Sequence, residues 1–160
     1  MIKLHVCFVC SGNVCRSPFA EGLLRHETVR RGWSDSVTVT SAGTFGIVDR
    51  TAHPWMLEEA RRRGFDLDPH RSRAVKASHL RECDYILGFS REHVAELREL
   101  LPDLQERVYL LGAFPLHDAD GPEIADPIRR GEADFVECVD AIRVALDRLL
   151  QELGKRLQGG

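Results

Sequence analysis

Residues 3–24, KLHVCFVCSGNVCRSPFAEGLL, decide how this chain is read. Lys3 to Val9 alternates and is rich in valine, leucine and phenylalanine, the pattern of a buried strand. Ser17 stands where it can cap a helix, with Pro18 at the first position, where a missing N–H does no harm. Phe19 with Leu23, and Ala20 with Leu24, then share one helical face, and Gly32 ends the run. Between strand and helix lies a tight loop, Cys10 to Ser17.

The same alternation continues. Val37 to Ser41 reads as a second strand closed by Ala42-Gly43-Thr44, and His53 to Arg63 as a helix ended by Gly64. Tyr85 to Leu87 is a short apolar strand. Ser90 begins a helix carrying Val94, Leu97 and Leu101, which Pro102 helps to end, and Val108 to Leu111 makes a fourth strand. Phe135, Val139, Ile142, Leu146, Leu149 and Leu153 mark the last helix by spacings of four and three. Strands alternating with amphipathic helices predict an α/β fold, a parallel sheet with helices on both faces. One domain is expected over residues 1–153, with 154–160 as a flexible tail. Residues 112–131 form a long connection without periodicity, of the kind that carries function in compact domains.

A net charge of −3 offers no basic field for nucleic acid. The opening residues are too short and polar-flanked for a signal peptide or membrane span, so no membrane partner is expected. Five cysteines, an odd number, suit free thiols in a reducing compartment, and the cytoplasm is the expected location.

Gly12 and Asn13 are residue types that allow positive φ, so the loop can curl with its N–H groups turned inward. A nest of this kind at a helix N-terminus binds phosphate-like anions. Arg16 adds a planar fork matched to two phosphate oxygens. Cys10 would open this positive bowl, where its thiolate is stabilised and can attack a bound phosphoryl group. Ser17 can donate a hydrogen bond to that sulfur. Cys7 and Cys10 have CxxC spacing, but an offset of three on a strand puts them on opposite faces. No second Cys/His pair stands at a suitable spacing for a zinc clip, and a redox CxxC belongs at a helix start. A tight turn with an incidental cysteine would leave Arg16 and the nest unexplained.

The series C-S-G-N-V-C-R-S-P, then S-A-G-T at Ser41 to Thr44, His70-x-x-Arg73 and Asp126-Pro127, resembles the low-molecular-weight protein tyrosine phosphatase family over nearly the whole chain. That resemblance implies a three-layer α/β/α domain with a mostly four-stranded parallel sheet in the order 2-1-3-4. It implies a phosphocysteine formed on Cys10, with Arg16 clamping the phosphoryl oxygens alongside the loop residues Ser11, Gly12, Val14 and Cys15. Asn13, Ser17, Ser41 and His70 would hold the loop in shape. Asp126 would protonate the leaving oxygen and then activate water. A leaving alkoxide or phenolate does need a proton, and Pro127 restricts the backbone of Asp126. On residues alone, Asp118 and Asp120 are equal rivals for that acid, and His70 also reads as a surface histidine. Asp118 to Gly121 hints at calcium, but further ligands are missing. No cofactor and no metal are expected, because the nest and Arg16 already neutralise the phosphoryl charge.

The implied partners are a phosphorylated protein, with phosphotyrosine favoured, and inorganic phosphate as product; a monomer is the default. Phe45, Ile47 and Ile128 fall where the family's cleft walls usually carry aromatics. Arginine phosphatases resemble this loop but place threonine at Val14, and valine lacks the hydroxyl a phosphoguanidinium would want. Thioredoxin-coupled arsenate reductases share the fold but relay a disulfide through cysteines after the third strand, whereas Cys83 precedes it. A non-catalytic phosphate-binding module is the alternative of a different class. Cys15 is placed to trap Cys10 as a disulfide under oxidation.

Overall fold

A computed structural model describes residues 1–118 and 120–159. Four strands, β1 (Leu4–Cys10), β2 (Val37–Gly43), β3 (Tyr85–Gly88) and β4 (Val108–Leu110), form one parallel sheet in the order β2-β1-β3-β4. Helices α1 (Arg16–Arg30), α2 (Pro54–Arg62), α3 (Ala77–Leu80), α4 (Arg91–Leu100) and α5 (Glu132–Gly159) connect and cover it. No helix among the described residues is long and apolar enough to cross a membrane.

The two cores follow from strand alternation in β1, which is central and therefore buried on both sides. Leu4, Val6, Phe8 and Cys10 face a core built with α1 and α5, where every residue of the predicted α5 stripe is buried. Cys7 and Val9 face a second core with Leu80, Ile86, Val94, Leu97 and Val108. Cys7 and Cys10 thus lie on opposite faces, as the period of two requires.

Two glycines open the carboxyl end of the sheet. Gly43 pairs with Cys10, and a Cβ there would meet the Ser11 carbonyl oxygen at 2.7 Å and Asn13 Cβ at 3.0 Å. Gly88 pairs with Val9, and its Cβ would stand 2.9 Å from that of His93. A side chain on either flanking strand would push away the loop or the first turn of α4.

Three expectations need correction. Ser17 does not cap α1; Cys15 holds the cap position without a side-chain bond, and Ser17 lies inside the helix with its hydroxyl turned to the loop. Only Asn13 uses positive φ in the loop (57°), while Gly12 does not. The helix expected to stop before a loose tail continues through Gly154 to Gly159. Leu157, one turn beyond buried Leu153, still packs on the core, and a Cβ on Gly154 would touch Trp33 at 3.4 Å. Residue 160 lies outside the described residues. The short α3 was not foreseen, because four residues carry no readable period.

Ile142, fully buried between α5 and the sheet, should cost about 2–5 kcal/mol of stability when cut to alanine. A lower urea midpoint with unchanged slope would show it.

Candidate active site

Four carbonyls at the loop between β1 and α1, those of Cys10, Ser11, Asn13 and Val14, are held by donors from elsewhere in the fold. Thr44 N donates to Cys10 O, Phe45 N to Ser11 O, and His53 N to Val14 O, all at 2.8–2.9 Å. His70 Nε2 donates to Asn13 O at 2.8 Å. Burial lowers the pKa of His70, which keeps the ring neutral with its proton on that nitrogen. Among the described residues, no N–H of residues 11–15 donates to a backbone carbonyl. With those carbonyls taken, the N–H groups of residues 11–15 are left without backbone acceptors at the start of α1, the condition an anion nest requires.

One side chain sets the direction of the bonds inside. Asn13, 0 % exposed, donates from Nδ2 to Ser17 Oγ (2.7 Å) and Ser41 Oγ (2.9 Å), and accepts from Arg73 N at Oδ1 (3.0 Å). An amide nitrogen can only donate. Ser17 Oγ therefore accepts from Asn13 and turns its own hydrogen to Cys10 Sγ, 2.9 Å away. Ser41 likewise accepts from Asn13 and donates to Glu21 Oε1 at 2.5 Å. The result is a hydroxyl donor fixed on the Cys10 sulfur, which stabilises the thiolate and makes it a better leaving group.

Arg16, 4 % exposed, opens α1 and reaches back over the loop. Its Nη1 donates to Ile124 O at 2.9 Å, its Nη2 lies 3.5 Å from Asp126 Oδ2, and its carbon stands 5.7 Å from the centre of the Phe89 ring. Its Nε is buried with no partner, one of two such side-chain atoms among the described residues. A buried N–H of a charged group without an acceptor is costly, and an anion in the nest would supply one.

Of the three rival acids, only Asp126 joins this group. Its carboxylate is 37 % exposed beside Arg16 and accepts from Ile128 N. Asp118 instead accepts from Asp120 N, closing its own turn away from Arg16, and Asp120 is exposed. Val14 and Ile47 both lie beside Gly12, where a Cβ would meet their side chains at 3.5 and 3.9 Å. Phe45 is 71 % exposed, and Ile128 is exposed too. Cys15 is buried, and burial raises its pKa above the ordinary thiol range.

Sequence reasoning missed His93. It is 3 % exposed in the first turn of α4, where Ser90 caps the helix as expected. Phe89 N donates to its Nδ1 at 3.2 Å, so the ring proton sits on Nε2 and is given to Ser11 Oγ at 2.9 Å. Burial first, and Arg16 second, push its pKa down to about 4. Its place at the carboxyl end of β3, in the crevice where such sheets bind ligands, was the available signal. Glu21, which fixes Ser41, gave none, because its partner is remote in the chain, and Arg73 was marked only by its place in His70-x-x-Arg73, not by its bond to Asn13.

A family profile described as "Low molecular weight phosphotyrosine protein phosphatase" matches residues 5–159. Low molecular weight protein-tyrosine phosphatase A of Mycobacterium tuberculosis is 36 % identical over 156 residues, covering 96 % of this chain and 94 % of that protein. Among solved structures, YfkJ of Bacillus subtilis superposes with a TM-score of 0.87 at 28 % identity, covering 98 % of both chains. The YwlE arginine phosphatase of Geobacillus stearothermophilus also gives 0.87, at 26 % identity over 98 % of this chain and 96 % of that one.

Asn13→Ala removes the bond that orients Ser17. Hydrogen bonds to charged groups are worth about 1.5–3 kcal/mol, so turnover of an aryl phosphate should fall about ten- to a hundredfold. Slower alkylation of Cys10 by iodoacetate at neutral pH should accompany the loss. For His93, the unfolded value is 6.5 and the folded one about 4, so protons favour the unfolded chain as pH falls. Its contribution is whole above pH 6.5 and lost towards pH 4. His93→Asn should flatten the fall in urea stability across that window by about 1–3 kcal/mol.

Proposed function

Since the chain belongs to the low molecular weight phosphotyrosine protein phosphatase family, and so is a hydrolase of phosphorylated protein, we propose that Cys10 carries the reaction as a nucleophile. The phosphoryl oxygens lie in the nest against Arg16 Nε. The Cys10 thiolate attacks phosphorus in line, an S–P bond forms, and the bond to the leaving oxygen breaks as Asp126 supplies its proton. Asp126, now a carboxylate, takes a proton from water as that water attacks phosphorus. The S–P bond breaks, inorganic phosphate leaves, and Ser17 again steadies the thiolate. Ser11 to Cys15 bind the phosphoryl group, while Asn13, Ser17, Ser41, His70 and the positioning residue His93 keep their shape. This route needs no metal and no cofactor.

The observation that carries the reading is the buried, unpartnered Arg16 Nε, in a loop whose sulfur already receives a hydroxyl donor and whose rim carries a carboxylate. Phosphotyrosine is the substrate this site fits best. Ile47, Phe45 and Ile128 offer apolar walls at the mouth, and Val14 brings no hydroxyl for a guanidinium. Free thiols at all five cysteines suit the cytoplasm. Cys83, fully buried before β3, has no exposed cysteine partner after that strand for a disulfide relay.

Hydrolysis of p-nitrophenyl phosphate in the presence of chelator should persist in the wild type and vanish in Cys10→Ser. Asp126→Asn should lower kcat about a hundred- to ten-thousandfold. Activity that survives loss of Cys10, or that chelator abolishes, sinks the thiol route. Phosphotyrosine peptides should be turned over faster than phosphoarginine peptides; the reverse order would make the protein an arginine phosphatase. Thioredoxin-dependent arsenate reduction, or phosphate binding without turnover, would move it to the reductases or the binding modules.

A further inference from the structure

The sheet face opposite the anion loop carries side chains that hydrolysis does not use. Alternation sends His5 and Cys7 to one side of β1. His79 and Cys83 stand four residues apart, on α3 and the turn that follows it, and so lean the same way. The ligand atoms of His5, His79 and Cys83 all lie within 4.8 Å of one another. Cys7, on the same face of β1 as His5, is fully buried in the second core with Cys83. Thr40 is the partner of Cys7 across β1 and β2, and its hydroxyl lies 3.0 Å from His5 Nε2 and 3.1 Å from His79 Nε2. The second pair that CxxC spacing did not offer is therefore His79 and Cys83, and it meets His5 rather than Cys10.

We infer that His5, His79 and Cys83 form a binding site for a divalent metal ion of the zinc class, separate from the anion loop. Two imidazoles and one thiolate, with water in the fourth tetrahedral position, are a donor set that suits zinc over magnesium or calcium. Bonds of about 2.0–2.3 Å place tetrahedral ligands about 3.5 Å apart, so the donors must close in by about 1 Å. That is within reach of side-chain rotation at His5 and His79, which are half-buried at the rim.

Binding releases a proton, as the Cys83 sulfur bonds the metal as a thiolate. Asp84 and Glu82 act on His5 as nearby negative charges and favour a cation, while Arg73 opposes one. Arg73 Nη2 donates to His79 Nε2 at 2.7 Å. A guanidinium can only donate, so that nitrogen presents its lone pair, and the metal competes with Arg73 for it. The Arg73 backbone N holds Asn13 Oδ1, so the exchange takes place one residue's length from the anion loop.

The test is a Co²⁺ titration of reduced, full-length Cys10→Ser, in which the loop nucleophile cannot serve as a ligand. One equivalent should produce the visible bands of tetrahedral cobalt with a near-ultraviolet thiolate charge-transfer band, and Zn²⁺ should bleach both. Adding Cys83→Ser or His79→Gln should abolish the charge-transfer band or shift its midpoint at least about tenfold, with near-ultraviolet circular dichroism reporting the fold. If Cys83→Ser fails to fold, His79→Gln decides, since it leaves the buried thiols in place. An octahedral spectrum, no spectrum at saturating cobalt, or a thiolate band unchanged in the folded variants overturns the assignment. The readout is spectral and does not depend on how the anion loop reacts.

Discussion

The amide of Asn13 is the constraint on which the rest of the site depends. It lies wholly buried at a positive φ that few side chains tolerate, and asparagine is among those that do. Both of its donors and its acceptor are used, by Ser17, Ser41 and Arg73, while its own carbonyl takes His70. Glycine would meet the backbone requirement and orient nothing. Aspartate would meet it too, but a carboxylate accepts where the amide donates. The Ser17 hydrogen would then swing to the carboxylate and abandon the sulfur. The hydrogen that Ser17 turns to the Cys10 sulfur is thus set by a side chain that does not itself bond to the sulfur.

Arg16 shows the same economy from the other side. A buried guanidinium must have its edges satisfied, and here two are: one by the carbonyl of Ile124 and one by Asp126. Phe89 covers its face. The remaining edge, at Nε, is held in readiness within a wall of backbone N–H groups, so little needs to reorganise when an anion arrives.

Strand alternation and the stripe of α5 made the layers legible in the sequence, and the residues around Cys10 made the strand–loop–helix turn legible. The misreadings share a cause. Ser17 carries every local mark of a helix cap, yet its hydroxyl is claimed by Asn13 and Cys10, and tertiary bonds outweighed the local preference. Gly154 looks like a stop, but Trp33 lies on it, and Leu157 has a core to join. Asp126 could not be told from Asp118 and Asp120 by residue type, because proximity to Arg16 is decided 110 residues earlier in the chain. His93 and Glu21, and the bond from Arg73 to Asn13, were invisible for the same reason: each acts on a partner that only the fold brings near.

Every clamp on the loop comes from far along the chain: Ser41, His53, His70, Arg73, His93 and Ile124 all close on residues 11–16. A nest of this kind cannot form early in folding, because each clamp closes a long loop of chain before it repays the entropy lost. Partly folded forms hold the sequence of the loop without its shape. An oxyanion that binds the loop as proposed, such as phosphate or vanadate, would therefore be recognised only by the finished molecule, and by mass action would draw the folding equilibrium towards that state.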